Sequence, residues 1–98
     1  MKKSSGAIGF NWDTGNQDKN WKKHRVSDEE CEEVFFDPNK KILKDPPHST
    51  SEQRYILIGQ TKLKRLLFVV FALRKNKVRI ISARDLNKRE KHLYEKTT

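Results

Sequence analysis

The sequence predicts an α+β domain: a small antiparallel sheet with a central three-stranded meander, two helices before it and one after. Three observations carry that prediction. Residues 54–60, 65–73 and 78–84 are dense in β-branched, aromatic and other apolar side chains, as strands with a buried face are. The links between them, 61–64 and 74–77, have the length and polarity of hairpin turns. Polar stretches with helix start signals lie on either side, at Ser27 and at Asn87. A chain of 98 residues fits one domain with a small core. That domain is expected over 8–98, after a flexible basic arm at 1–7.

Taken in order, residues 8–12 form a short apolar run suited to an edge strand. Asp13 is a good N-cap for a helix over 14–24, in which Asn20, Trp21 and His24 share a face. Ser27-Asp28-Glu29-Glu30 has the spacing of a capping box, with Val26 and Cys31 at the positions of a hydrophobic staple. Cys31, Val34 and Phe35 make its buried stripe, and Asp37-Pro38-Asn39 ends it, because proline disfavours helix in the residue before it. Ile42-Leu43 is a short strand, followed by a polar loop over 45–53. Residues 65–73 are apolar enough for a central strand buried on both faces. The last helix runs from Leu86 or Asn87 to Glu95 and docks through Leu86, Leu93 and Tyr94, with Asp85 or Asn87 as its cap. Asn87 and Glu90 have the capping-box spacing. Helices are expected on one face of the sheet.

Charge narrows the function. The net charge is +9 and the pI about 9.9, a balance that points to an anionic partner, nucleic acid first. Six of the thirteen acids fall within residues 28–37, leaving 22 basic against 7 acidic residues elsewhere, or +15. An acidic helix on a basic body should turn away from a nucleic acid. Cys31 is the only cysteine, so no internal disulfide forms, and His24, His48 and His92 lack metal-ligand spacing. No metal or other cofactor is expected. Lys2 and Lys3 are followed by Ser4-Ser5-Gly6 instead of an apolar run, which does not read as a signal peptide. No stretch of about 18 apolar residues suits a membrane span. The cytoplasm is the expected location.

The stretch Val78-Arg79-Ile80-Ile81-Ser82-Ala83-Arg84 reads as a strand that delivers two arginines. A fixed strand is a good platform for a guanidinium, whose planar fork of donors matches a phosphate. Two arginines five apart point to opposite faces of a regular strand. Both reach one phosphate only if a bulge intervenes or if Arg84 lies past the strand end.

An ordered series of short motifs runs through the chain. It begins with Phe10-Asn-Trp12-Asp13, Asn20-x-x-Lys23-His24 and Val26-Ser27-x-Glu29-Glu30-x-x-Glu33-Val34-Phe35. It continues with Arg54-Tyr55-Ile56-x-Ile58-Gly59, Arg65-x-Leu67-x-Val69-Val70, Arg79-Ile80-Ile81-Ser82-Ala83-Arg84 and Glu90-x-x-x-Tyr94. The series resembles the BrnT family of toxins from bacterial type II toxin–antitoxin systems. The resemblance implies a RelE/ParE-like fold and a ribonuclease that stops growth by cutting RNA. It also implies a BrnA-type antitoxin with a ribbon-helix-helix DNA-binding part, in a heterotetramer of two toxins around an antitoxin dimer, with operator DNA bound through the antitoxin. Family members commonly carry glycine after the Lys-His pair, where a helix ends in a left-handed turn. Arg25 stands there in this chain.

Metal-independent RNA cleavage needs a base for the 2′-hydroxyl, cations for the phosphate and an acid for the leaving 5′-oxygen. On that basis Arg79 and Arg84 are expected to clamp the scissile phosphate, with Arg65 as a third candidate. Lys23 adds charge. His24 is the first candidate for acid or base, since an imidazole ordinarily titrates near about pH 6.5, and Glu90 is the second for base. Lys62, Lys64 and Arg89 are candidate RNA contacts. Two other classes stay open: a ParE-like inhibitor of DNA gyrase without nuclease activity, and a non-catalytic basic module that binds nucleic acid.

Overall fold

A computed structural model of the chain describes residues 9–12, 19–44 and 52–95. The arm at 1–7, the Asp13 cap, the first half of the first helix and most of the 45–53 loop lie outside them. The elements are β1 (Gly9–Phe10), α1 (Lys19–His24), α2 (Asp28–Glu33), a 3₁₀ turn (Val34–Phe36), β2 (Lys41–Lys44), β3 (Arg54–Gln60), β4 (Leu66–Arg74), β5 (Lys77–Asp85) and α3 (Lys88–Glu95). The strands form one five-stranded sheet in the order β1-β5-β4-β3-β2.

Strands β2 to β5 pair antiparallel, as expected of the meander. The sheet as a whole is mixed, not antiparallel, because β1 lies parallel to β5 with Gly9 opposite Lys77. Parallel neighbours need a long connection between them, and everything from α1 to β4 lies between these two strands. The β4–β5 turn has Lys75 and Asn76 both at positive φ, 52° and 66°. That is the two-residue turn whose twist matches the flanking strands.

Alternation along the strands sorts the side chains. Leu57, Leu67, Val69, Phe71, Val78, Ile80 and Ala83 join Val26, Cys31, Val34 and Phe35 in one core, so α2 and the 3₁₀ turn cover this first face. Phe35 sits at its centre, edge-on to Phe10 at 5.3 Å and to Phe71 at 5.0 Å between ring centroids. The 3₁₀ turn lies so close to β3 that a Cβ on Gly59 would come within 3.0 Å of the Val34 carbonyl oxygen. The α2 capping box is complete: Ser27 Oγ accepts from the Glu30 amide at 3.1 Å, and Glu30 Oε1 from the Ser27 amide at 3.0 Å. Three further bonds use the acids of α2 within the protein. Glu32 accepts from Trp12 Nε1, Glu30 from Arg65, and Glu33 from the Lys62 amide.

Three expectations are corrected. Strand β4 is not buried throughout: Phe68 and Val70 are half-buried on the second face, and Leu73 is exposed on the first. Helix α3 does not join the others on the first face. It is tied by Glu90 to Arg84, whose side chain belongs to the second face, and by Tyr94 Oη to Asp37 Oδ2 at 2.7 Å. Leu93 is 48 % exposed, so Leu86 and Tyr94 carry the docking without it. Within α1, Trp21 is 47 % exposed and Asn20 is the buried residue.

Candidate active site

The strand register resolves the question posed by the two arginines. Val70 pairs with Ser82 and Phe71 with Ile80, so Ile81 is an extra residue in β5 with no partner on β4. This β-bulge lets Ile80 and Ala83 both face the first-face core. Arg79, Ser82 and Arg84 consequently share the second face. Helix α1 bonds to the backbone of β5 at and just beyond the bulge. Lys19 Nζ donates to the Ile81 carbonyl at 2.6 Å, and Asn20 Oδ1 accepts from the Ala83 amide at 2.9 Å. Asn20 is only 1 % exposed. Sequence reasoning gave it no role; the signal was a polar residue on a helix whose exposed side already had lysines.

Arg84 holds Glu90 with both ends of its guanidinium, Nη1 to Oε1 and Nη2 to Oε2, each at 2.8 Å. Its guanidinium carbon lies 4.0 Å from the centroid of the Phe68 ring. Glu90 also closes the capping box of α3 with Asn87. The Arg84 hydrogen bonds hold the Glu90 carboxyl below the usual carboxylate range, against the effect of burial. Farther along the same face, Arg79 Nη1 is 3.4 Å from Glu52 Oε1, and the other Glu52 oxygen is 3.3 Å from Arg74 Nη2. Arg79 Nε is buried without a hydrogen-bond partner among the described residues.

Arg65 is differently placed. Its Nε and Nη2 grip Asp85 at 2.7 and 3.1 Å, and its Nη1 meets Glu30 at 3.1 Å. It also donates to the carbonyls of Arg25 at 2.8 Å and His24 at 3.4 Å. Every nitrogen of this fork is engaged with protein, and its bonds to the Arg25 and His24 carbonyls fasten the end of α1. The hydrogen bonds from Arg65 hold the Asp85 carboxyl below its ordinary value, and the nearby His24 and Lys91 act in the same direction.

Lys23 and His24 are exposed at the end of α1, on the Asp85 side of the β5 terminus. Arg84, Arg79 and Glu90 lie on the other side. The expected catalytic set is therefore divided by the end of β5. Arg25 adopts φ 57°, the left-handed conformation that its place after the Lys-His pair requires. Its amide donates to the Trp21 carbonyl at 2.9 Å, which closes α1 as a left-handed cap. The Arg25 guanidinium lies 5.5 Å from the Trp21 ring centroid.

Lys62 and Lys64 occupy the β3–β4 turn and line a groove of about 670 Å³ shared with Glu29, Glu32, Glu33 and Asp37. Carboxylates crowd that groove, and it is a poor place for a phosphate. Arg89 is exposed on α3.

The fold is a small basic α+β domain that presents arginine forks from a fixed strand, a donor geometry that matches phosphate. Residues 12–90 match the family described as "Ribonuclease toxin, BrnT, of type II toxin-antitoxin system". The chain belongs to that family, and membership brings with it a ribonuclease activity on RNA and an antitoxin partner. No curated protein matches it. No helix among the described residues is long and apolar enough to cross a membrane.

Proposed function

We propose that this toxin is an endoribonuclease that cuts RNA without a metal ion, using the second face of the sheet around Arg79, Arg84 and Glu90. The observation that carries the reading is the bulge at Ile81, which sets both arginines on one face beside a carboxylate. Arg84 and Arg79 bind phosphates of the RNA backbone and stabilise the charge that grows at phosphorus. The incoming phosphate competes with Glu90 for Arg84. Glu90 then loses the partner that keeps its pKa down and becomes a stronger base for the 2′-hydroxyl proton. The 2′-oxygen attacks phosphorus, and the 5′-oxygen departs with a proton from an acid. His24, across the end of β5, is the acid, with Lys23 beside it adding charge. Arg89 extends the contact with RNA. Arg65 acts indirectly, by holding the end of α1 on which Lys23 and His24 stand.

The remaining readings follow from family resemblance. The fold is of the RelE/ParE type, and the protein acts in the cytoplasm. Its antitoxin is a BrnA-type ribbon-helix-helix protein that pairs with two toxins as a dimer and alone touches operator DNA.

The test is incubation of antitoxin-free protein with ribosome-free RNA in EDTA. Wild type should cleave, and Arg79→Ala, Arg84→Ala and His24→Ala should each cleave at least tenfold more slowly while folded. Intact RNA with wild type would refute metal-free cleavage of naked RNA. Full activity in all three variants would refute the site.

A further inference from the structure

The first face of the sheet is not closed along its whole length. Toward the β4–β5 turn a groove of about 400 Å³ remains. Its floor is aromatic: Phe71 is wedged between Phe35 and Tyr55, stacking on the latter with ring centroids 5.4 Å apart. Its two lips are Ile42 and Leu73, which are 49 % and 53 % exposed. Register places both on this face, since Ile42 pairs with Leu57 and Leu73 with Val78. A single exposed leucine is ordinary, but large aliphatic side chains facing each other over a concave aromatic floor mark a binding surface.

The charge around the groove is of one sign. Lys40 and Asn76 line it, and among the described residues no carboxylate does. Lys44 follows Ile42 on the same face of β2, opposite Tyr55, and the adjoining turn carries Lys75 and Lys77. A second copy of this chain, with net charge +9 and the same basic rim, is a poor occupant. The arginine face lies on the other side of the sheet. From this geometry we propose that the groove is where the antitoxin docks, through an amphipathic segment that inserts large apolar side chains between Ile42 and Leu73 and sets carboxylates against the surrounding lysines. The proposal rests on membership of a toxin–antitoxin family and is independent of the nuclease site proposed above.

The experiment titrates purified full-length toxin with its cognate antitoxin and measures the dissociation constant. The variants are Ile42→Glu, Leu73→Glu and Lys44→Glu, with Leu63→Glu as the comparison, since Leu63 is 90 % exposed and outside the groove. Thermal midpoints and RNA cleavage by each free variant are recorded alongside. The expected result is binding weakened at least tenfold in the groove variants, unchanged binding in Leu63→Glu, and cleavage equal to wild type throughout. Unchanged antitoxin binding in the groove variants would overturn the proposal. So would equal loss in Leu63→Glu, or a free wild-type dimer that Leu73→Glu converts to a monomer. Failure of wild type to cleave RNA would count against the proposed nuclease and leave the antitoxin titration readable.

Discussion

Asn20 Oδ1 accepts the hydrogen bond of the Ala83 amide at 2.9 Å, joining the first helix to the strand just beyond its extra residue. That bond and the one from Lys19 to the Ile81 carbonyl pair two backbone groups of β5 at and just beyond the bulge. The bulge in turn decides which way Arg84 points. A buried amide side chain on a two-turn helix thus sits behind the placement of a surface arginine sixty-odd residues later.

Asn20→Ala is expected to leave the Ala83 amide unpaired and to cost about 1–3 kcal/mol of stability. Asn20→Asp keeps an acceptor for that amide but buries a carboxylate, so it should also lose stability. Urea unfolding of the three proteins measures this. If Asn20→Ala unfolds at the same urea concentration as wild type, the bond does not stabilise the bulge.

Arg84→Lys should behave like Arg84→Ala in RNA cleavage, with at least a tenfold loss, because an ammonium cannot reproduce the two parallel bonds of the fork. Single-turnover cleavage rates compare them. Restoration of wild-type rates by lysine would mean that charge alone suffices at this position.

Arg65→Ala removes bonds to Glu30, to Asp85 and to two carbonyls, and is expected to destabilise by about 2 kcal/mol or more at neutral pH. The sign of its pH dependence follows from Asp85, whose folded-state pKa is lowered chiefly by Arg65. Such a carboxylate contributes stability above its unfolded pKa of about 3.9 and loses it as pH falls through the lower folded value. The gap between wild type and Arg65→Ala should therefore narrow in acid. Denaturation curves at neutral pH and at about pH 2.5 test this, and a gap that widens in acid would contradict it.

Tyr94→Phe should cost about 1 kcal/mol at neutral pH by removing the bond to Asp37. Burial first, and then Asp37, push the Tyr94 hydroxyl up to about 12. Its neutral form is the one the fold favours. That contribution is complete below the unfolded value of about 10 and fades as pH rises through the folded value. Wild type should lose stability over that alkaline interval more steeply than Tyr94→Phe, which parallel unfolding curves would show.

Arg25→Gly should be more stable than Arg25→Ala by about 1 kcal/mol, the cost of a β-carbon in the left-handed conformation. Both variants lose the contact with Trp21, so the comparison isolates the backbone. Equal melting would indicate that the turn relaxes.

What could be read from the sequence was mostly local. The capping boxes Ser27/Glu30 and Asn87/Glu90 each need only four residues, and both are formed. The three meander strands lie within one residue of their expected bounds, because period and turn chemistry are short-range signals. The left-handed turn at Arg25 was legible from resemblance alone. The rest depends on partners distant in the chain. Ile81 becomes the extra residue only through the register with Val70 and Phe71, and the buried place of Asn20 goes with its bond to the Ala83 amide, sixty-three residues away. A hydrophobic pattern favours burying Trp21 over Asn20; the observed order is the reverse, with Asn20 bonded to the Ala83 amide. Arg65 reads as one more cation until Asp85 and the end of α1 are brought to it.

The acids of α2 have a consequence for how the molecule meets salt. Glu30, Glu32 and Glu33 are joined to Arg65, Trp12 and the Lys62 backbone by hydrogen bonds within the protein, and Glu30 is the internal counterion of Arg65. Added electrolyte screens exposed charges far more than partly buried pairs. Raising the ionic strength should strip a polyanion from the lysines and arginines of the surface at concentrations that leave these inner pairs, and the native fold, intact.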